Sequence, residues 1–215
     1  MSRIYFYKLT VDDGGAPCAE RGLLSLAICK PMIRRTAQTG DLIFGFAANS
    51  LHEDNRLIYV AEISERVEDG RYYESARFKG RSDRIYERVG AAFHIRIPPQ
   101  FHTEKHLVHD LGKAPAYDRA TVLISTEFRY FGGSFPEDYK AAFPAISRAV
   151  GSLGQGHRVN IAPTLEGELL KYRETLWQRY RGQLIVGKPN TPPRVGISHR
   201  GGGCGIIEKS GRAHP

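Results

Sequence analysis

The feature that most constrains this chain is a change of hydrophobic period near residue 132. Before it lie short runs rich in aromatic and β-branched residues: "RIYFYKLTV", "GLLSLAIC", "DLIFGFAA", "RLIYVAEISERV", "AAFHIRI", "ATVLIST" and "FRYFGG". Glycine, proline, aspartate or asparagine bounds most of them, the punctuation of strands. After it, "PEDYKAAFPAISRAV" and "PTLEGELLKYRETLWQRYRGQLI" carry apolar residues at helical spacing, the latter through Leu165, Leu169, Leu170, Leu176, Trp177 and Tyr180. Strands followed by helices specify an α+β domain, with helices on one flank of a mostly antiparallel or mixed sheet.

Local patterns add detail. In the first run Ile4, Phe6 and Lys8 fall on one face and Tyr5, Tyr7 and Leu9 on the other, and "DDGG" ends the strand in a turn. Pro31 ends the second run, and "MIRRTAQ" reads as a short helix stopped by Gly40. "DLIFGFAA" and "RLIYVAEISERV" form a hairpin across the polar loop "NSLHEDN". The stretch "EDGRYYESARFKGRSDRIYERV" is too polar for a core and reads as a loop with short strands. "ATVLIST" and "FRYFGG" are strand segments meeting at a bend. From Lys188 the chain is rich in glycine and proline, so residues 1–187 make one domain and 188–215 an irregular tail.

A hydrophobic fraction of 41% in 215 residues is adequate for a core. Thirty-one Lys and Arg against 23 Asp and Glu give a net charge of +8, which favours partners carrying negative charge, nucleic acid first. Cys18, Cys29 and Cys204 match no zinc or disulfide spacing and point to a reducing cytoplasm. No apolar run is long enough to cross a membrane, and "MSRIYFYKLT" lacks the order of a secretory signal.

Two constellations carry candidate chemistry. In "KPMIRRTAQTGDLIFGFAANS", Asp41 serves an entry turn, Arg34 and Arg35 can set positive charge over a pocket mouth, and Asn49, Ser50 and His52 can both donate and accept hydrogen bonds. In "TVDDGGAPC", Asp12, Asp13 and Cys18 surround a turn, with Cys29 and Lys30 one strand later. Paired carboxylates and a thiol near a cation are the parts of an acid–base or nucleophilic site, although Asp-Asp-Gly-Gly is also ordinary turn chemistry and Cys29 lies in an apolar run. "FHTEKHLVHDLG" places His102, His106 and His109 in a loop or single turn, without the ligand set of a zinc site. The "GGG" at 201–203 has no following helix and so is not a phosphate loop. No metal or cofactor is expected.

Four blocks in order, "YFYKLTVDDGGAPC", "SLAICKPMIRRTAQTGDLIFGFAANSL", "NRLIYVAEI" and "LISTEFRYFGG", resemble the nucleotide-modification-associated domain of the second type, found in phage and bacterial gene clusters that alter DNA bases. More distantly the chain is similar to the PUA-like superfamily with its EVE, YTH and ASCH domains. The resemblance covers residues 3 to about 132. It implies a small mixed barrel whose concave site holds a flipped, modified base between aromatic rings. Where EVE domains end the strand in an aromatic-rich stretch, this chain has Phe46-Ala47-Ala48-Asn49-Ser50, so a cage would draw on Tyr5, Tyr7, Tyr72, Tyr73 or Phe131.

The expectation is therefore a cytoplasmic reader of DNA, RNA or nucleotide bearing a modified base. Tyr5, Phe46 and Tyr73 would stack, Asn49 and Ser50 would read the base edge, and Lys30, Arg34 and Arg35, with Arg56, Arg77 or Arg81, would contact phosphate. The alternative is a base- or nucleotide-modifying enzyme centred on Asp12, Asp13, Cys18 and Lys30.

Overall fold

A computed structural model describes residues 2–154 and 156–191. Strand β1 (Ile4–Leu9) alternates as its side chains dictate: Ile4 and Phe6 enter one apolar cluster, Tyr5, Tyr7 and Leu9 another on the opposite face. The hairpin of β2 (Cys18–Glu20) and β3 (Leu23–Leu26) follows, then helix α1 (Pro31–Thr36), opened by its proline. The helix ends at Ala37, so Gly40 shapes the turn into β4 (Leu42–Ala47) and is not the helix stop. In that turn the Asp41 carboxylate accepts from the N–H groups of Arg3 at 2.7 Å and Gln38 at 2.8 Å. Strand β4 lies parallel to β1, which requires a crossover, and β2, β3 and α1 are that crossover.

Strand β5 (Leu57–Glu62) returns antiparallel to β4, and β6 (Glu65–Val67) follows. Residues 71–78 then form helix α2 (Arg71–Glu74) and a 3-10 turn (Ala76–Phe78), in place of the expected short strands. This segment is core: Tyr72, Tyr73 and Phe78 are buried with Tyr86 and Phe93, because the charges between them point outward or are paired. The hairpin β7 (Tyr86–Val89) and β8 (Ala92–Ile95) stands apart as a two-stranded sheet. Helix α3 (Leu107–Leu111) continues a 3-10 turn at Glu104–His106.

Strand β9 (Val122–Ser125) and β10 (Glu127–Tyr130) belong to different sheets, so the expected bend is a corner at Thr126. Helix α4 (Pro144–Gly151), the short β11 (His157–Arg158) and helix α5 (Pro163–Arg179) complete the fold. The first sheet has the order β10-β5-β4-β1-β11 and the second β2-β3-β9-β6. Helices α4 and α5 cover one face of the first sheet through Ile146, Val150, Leu169, Tyr172 and Leu176.

The α+β class with flanking helices stands, while the strands are distributed among three open sheets and the barrel implied by the PUA-like resemblance is not closed among the described residues. Within the tail, residues 188–191 are tied to the domain: the Lys188 carbonyl accepts from Gly133 N–H at 2.9 Å, and the Thr191 N–H donates to the Asp12 carbonyl at 2.9 Å. Residues 192–215, including the Gly201–Gly203 run and Cys204, lie outside the described residues.

One glycine makes room for its neighbours on one face of the first sheet. A Cβ at Gly45 would be driven into the Tyr59 ring and within 2.7 Å of Leu9 Cδ1, both of which are buried. Gly45→Ala is expected to lower stability by about 1–3 kcal/mol, as overpacking does, visible as a fall in the thermal midpoint of about 2–10 °C. An unchanged midpoint would contradict this packing.

Candidate functional site

Within the crossover the backbone is unusual. Between β3 and α1, Cys29 (φ 57°) and Lys30 (φ 41°) are consecutive non-glycine residues in the left-handed region, a conformation that persists only where surroundings impose it. Here they do. The Cys29 N–H donates to Asp110 Oδ1 at 2.9 Å and the Cys29 carbonyl accepts from Arg34 Nε at 2.7 Å. The Arg34 guanidinium also donates to the carbonyls of Asp110, Arg119 and Thr121, each at 2.7 Å.

That clamp turns the Cys29 sulfur towards His102, whose Nε2 lies 3.4 Å away. The other ring nitrogen, Nδ1, is 2.5 Å from Asp110 Oδ2, which also accepts from the Tyr86 hydroxyl at 2.8 Å. His106 stacks on His102 with ring centroids 4.5 Å apart. Burial pushes the Asp110 carboxyl up, but the His102 charge and hydrogen bond, the Arg34 guanidinium and the Tyr86 hydroxyl outweigh it, and the group is held below the ordinary carboxylate range. It remains an anion that orients the histidine. With Nδ1 turned to Asp110, the His102 ring directs its Nε2 at the sulfur.

Cys29 and His102 line an open cleft with Leu9, Val11, Asp13 and Phe101, which encloses about 460 Å³ including the space that opens to solvent. Its position follows from topology: β1 and β4 run parallel, so their following loops emerge at one edge, where the Ala48 N–H donates to the Leu9 carbonyl at 2.7 Å. Gly15 admits the Phe101 ring to the cleft wall, since a Cβ there would meet Phe101 Cγ at 2.7 Å. Lys30 also lines the cleft, its Nζ 4.6 Å from the Tyr7 ring centroid, and burial brings its amine down to about 8. Cys29 is disulfide-bonded, which its spacing does not suggest, so its thiol chemistry belongs to the reduced protein. Among the described residues no three histidine, cysteine or acidic side chains are grouped to hold a metal ion.

The residues expected to form a base-binding cage are dispersed. Phe46, Tyr5 and Tyr73 are each at most 1% exposed and lie in three different core clusters. Arg34 is an internal brace and Arg81 is buried beside Asp83, whereas Arg35 is exposed. Arg77 pairs with Glu65 at 2.6 Å and Arg56 reaches the Pro136 carbonyl. Asn49 and Ser50 are exposed on the loop after β4, with Asn49 Oδ1 accepting from Asn55 Nδ2 at 2.7 Å.

The acidic candidates separate too. Asp13 lines the cleft but accepts from Gly15 N–H at 3.0 Å as a turn residue. Cys18 is buried against Ser82, and burial pushes its thiol up, away from the thiolate a nucleophile needs. Of the set selected for the enzyme reading, Asp13, Cys29 and Lys30 line the cleft, and Asp12 and Cys18 do not. The residues missed are His102 and Asp110 as partners of Cys29, and Phe101. Their one sequence signal was the histidine-rich "FHTEKHLVHDLG" segment.

Asp12 is a fastener. Its carboxylate accepts from the Tyr130 hydroxyl at 2.7 Å and the Asn190 N–H at 3.1 Å, holding residues 188–191 to the sheet. Burial raises its carboxyl to about 6, against the lowering effect of those hydrogen bonds. A carboxyl that holds its proton more tightly when folded contributes most below its unfolded value and costs stability as pH rises through the folded one. Wild type should therefore lose stability relative to Asp12→Asn between about pH 4 and 6, by about 3 kcal/mol at most. Thermal melts of both proteins across that window measure the difference, and parallel curves would rule out this buried titration.

The model of the family named nucleotide modification associated domain 2 matches residues 1–166, which include Cys29, His102 and Asp110. No curated protein and no solved structure matches the chain. With more than three quarters of its length matched, the chain belongs to the nucleotide modification associated domain 2 family.

Proposed function

We propose that the chain is a thiol-dependent enzyme of nucleotide modification, with Cys29 as nucleophile, His102 as general base and acid, and Asp110 as the group that orients His102. The observation that carries this reading is the sequence of contacts from Cys29 Sγ to His102 Nε2 at 3.4 Å and from His102 Nδ1 to Asp110 at 2.5 Å, opening on one cleft. A nucleophile, a base within reach and a third group fixing the base are the working parts of covalent catalysis at an acyl carbon.

The step balances once a thiol reductant has opened the Cys29 disulfide. In the reduced protein His102 Nε2 takes the Cys29 proton as the sulfur attacks an acyl carbon. The leaving alcohol or amine departs with that proton, and a thioester remains on Cys29. Water, or an amine or hydroxyl of the nucleotide, then attacks the thioester while His102 accepts its proton and returns it to the sulfur. Family membership supports a nucleotide as acyl acceptor or as carrier of the scissile bond.

A second reading, a reader that holds a modified base of DNA or RNA in the same cleft without turnover, is favoured by the net charge of +8. It relies on one ring, Phe101, in place of the expected cage.

The two readings part on thiol chemistry. Protein treated with a dithiol reductant should give a burst of about one p-nitrophenolate per chain from p-nitrophenyl acetate, as a single acylated nucleophile requires. Cys29→Ser should abolish the burst, and His102→Ala should slow it by about 100-fold or more, the scale of general-base assistance. A burst that survives Cys29→Ser, or reduced Cys29 that alkylates with iodoacetamide no faster than glutathione at pH 6.5, would eliminate the enzyme reading.

A further inference from the structure

Residues 97–102 join the cleft at Cys29 to a second one. Phe101 and His102 face the first; Ile97, Pro98 and Gln100 line the second, opposite Arg84 and Arg96. Gln100 and His102 are two residues apart, so their Cα atoms lie within about 7 Å of each other. The second cleft encloses about 530 Å³, including the space that opens to solvent, and no carboxylate is among its lining residues.

Its cations differ in how far they are committed. Arg81, which also lines it, is turned inward to Asp83, Tyr72 and the Cys18 carbonyl. Arg84 gives Nε and Nη2 to the Tyr73 carbonyl and Nη1 to that of Ser75, so two of its five N–H groups remain. Arg96 is exposed, and its side chain has no hydrogen bond or ion pair among the described residues. Nearby carboxylates are engaged elsewhere: Glu20 by Ser82, Glu74 by Arg88 at 2.6 Å, and Glu104 by the Ile95 N–H. Burial and then the Arg96 charge hold the Arg84 guanidinium below its ordinary value, against the opposing influence of Tyr72 and Glu74.

We propose that Arg84 and Arg96 form a phosphate subsite that holds the phosphate of the nucleotide whose reactive group lies against Cys29 and His102. The proposal rests on the enzyme reading for the identity of its ligand, and on the second cleft alone for its charge. An anion between the two guanidiniums would relieve their repulsion and take charge-assisted hydrogen bonds from N–H groups already fixed in place. Gln100 and His102, two residues apart, put the two clefts on one segment of the chain. The ligand is a phosphate mono- or diester, from a free nucleotide or from a nucleic acid backbone.

Titration calorimetry on the full chain at low salt, with thymidine, thymidine 5′-monophosphate and a single-stranded oligothymidylate as probes, tests it. Arg96→Gln is the variant of choice because Arg96 is exposed and braces nothing, whereas removing Arg84 would take a donor from the carbonyls of Tyr73 and Ser75. Wild type should bind the monophosphate or the oligonucleotide more tightly than thymidine, Arg96→Gln should weaken that phosphate-bearing probe about tenfold, and Arg96→Lys should restore part of the loss. Which of the two probes responds identifies the monoester or the diester. Equal affinities of wild type and Arg96→Gln for both phosphate probes would overturn the subsite. An absent p-nitrophenolate burst with intact dependence on Arg96 would remove the enzyme reading and leave the subsite standing.

Discussion

A single buried carboxylate holds the site together. Asp110 is fully enclosed and accepts from three parts of the chain: the Cys29 backbone, the His102 ring and the Tyr86 hydroxyl. Its own carbonyl is bound by Arg34, which grips the Cys29 carbonyl with another arm. A buried charge is tolerated only when its lone pairs are filled, and filling them here requires Cys29 and His102 to be where they are. The left-handed backbone at Cys29 and Lys30 is thus the geometric consequence of satisfying Asp110 and Arg34 together, and the same contacts aim the sulfur at the histidine.

The sheet topology supplies the place for this arrangement. Because β1 and β4 are parallel, the chain must cross over between them, and the crossover passes through Cys29, between β3 and α1, beside the edge where both strands finish. Beneath it the Tyr7 and Tyr59 hydroxyls lie 2.9 Å apart inside the apolar cluster, so the floor has its polar atoms paired. On the Asp110 side, Tyr72, Tyr73, Tyr86 and Phe93 pack as an edge-on aromatic group around the Tyr86 ring. The cleft is therefore walled by two separately packed cores.

How much of this was legible in the sequence depends on the range of the interaction. The alternation of Ile4 to Leu9 and the spacing of Leu169, Tyr172 and Leu176 are local patterns, and the strand and helix they imply are present. The Arg34-Arg35 pair misleads because charge in sequence carries no sign of burial: one arginine is exposed, while the other meets four carbonyls that no nearby residue announces. Tyr72, Tyr73 and Phe78 were hidden among charges that face away from them. The pairing of Cys29 with His102 spans 73 residues. No periodicity reports such a contact, so the histidine-rich segment drew attention only as a metal candidate.

The two faces of the first sheet separate stability from chemistry. Its helical face, closed by α4 and α5 over Phe6, Phe44 and Phe46, contributes none of the residues that line the cleft. The family match ends at residue 166, near the start of α5, and contains Cys29, Arg34, Arg84, Arg96, His102 and Asp110. Helix α5 acts on the site only through the sheet, by burying Leu169, Tyr172 and Leu176 against the far side of strands whose near ends form the cleft. A helix in that position can vary in its exposed residues at little cost provided its apolar stripe persists. The cleft has no such latitude, because each donor to Asp110 is matched to one lone pair, and the loss of any of them leaves a buried charge short of a partner.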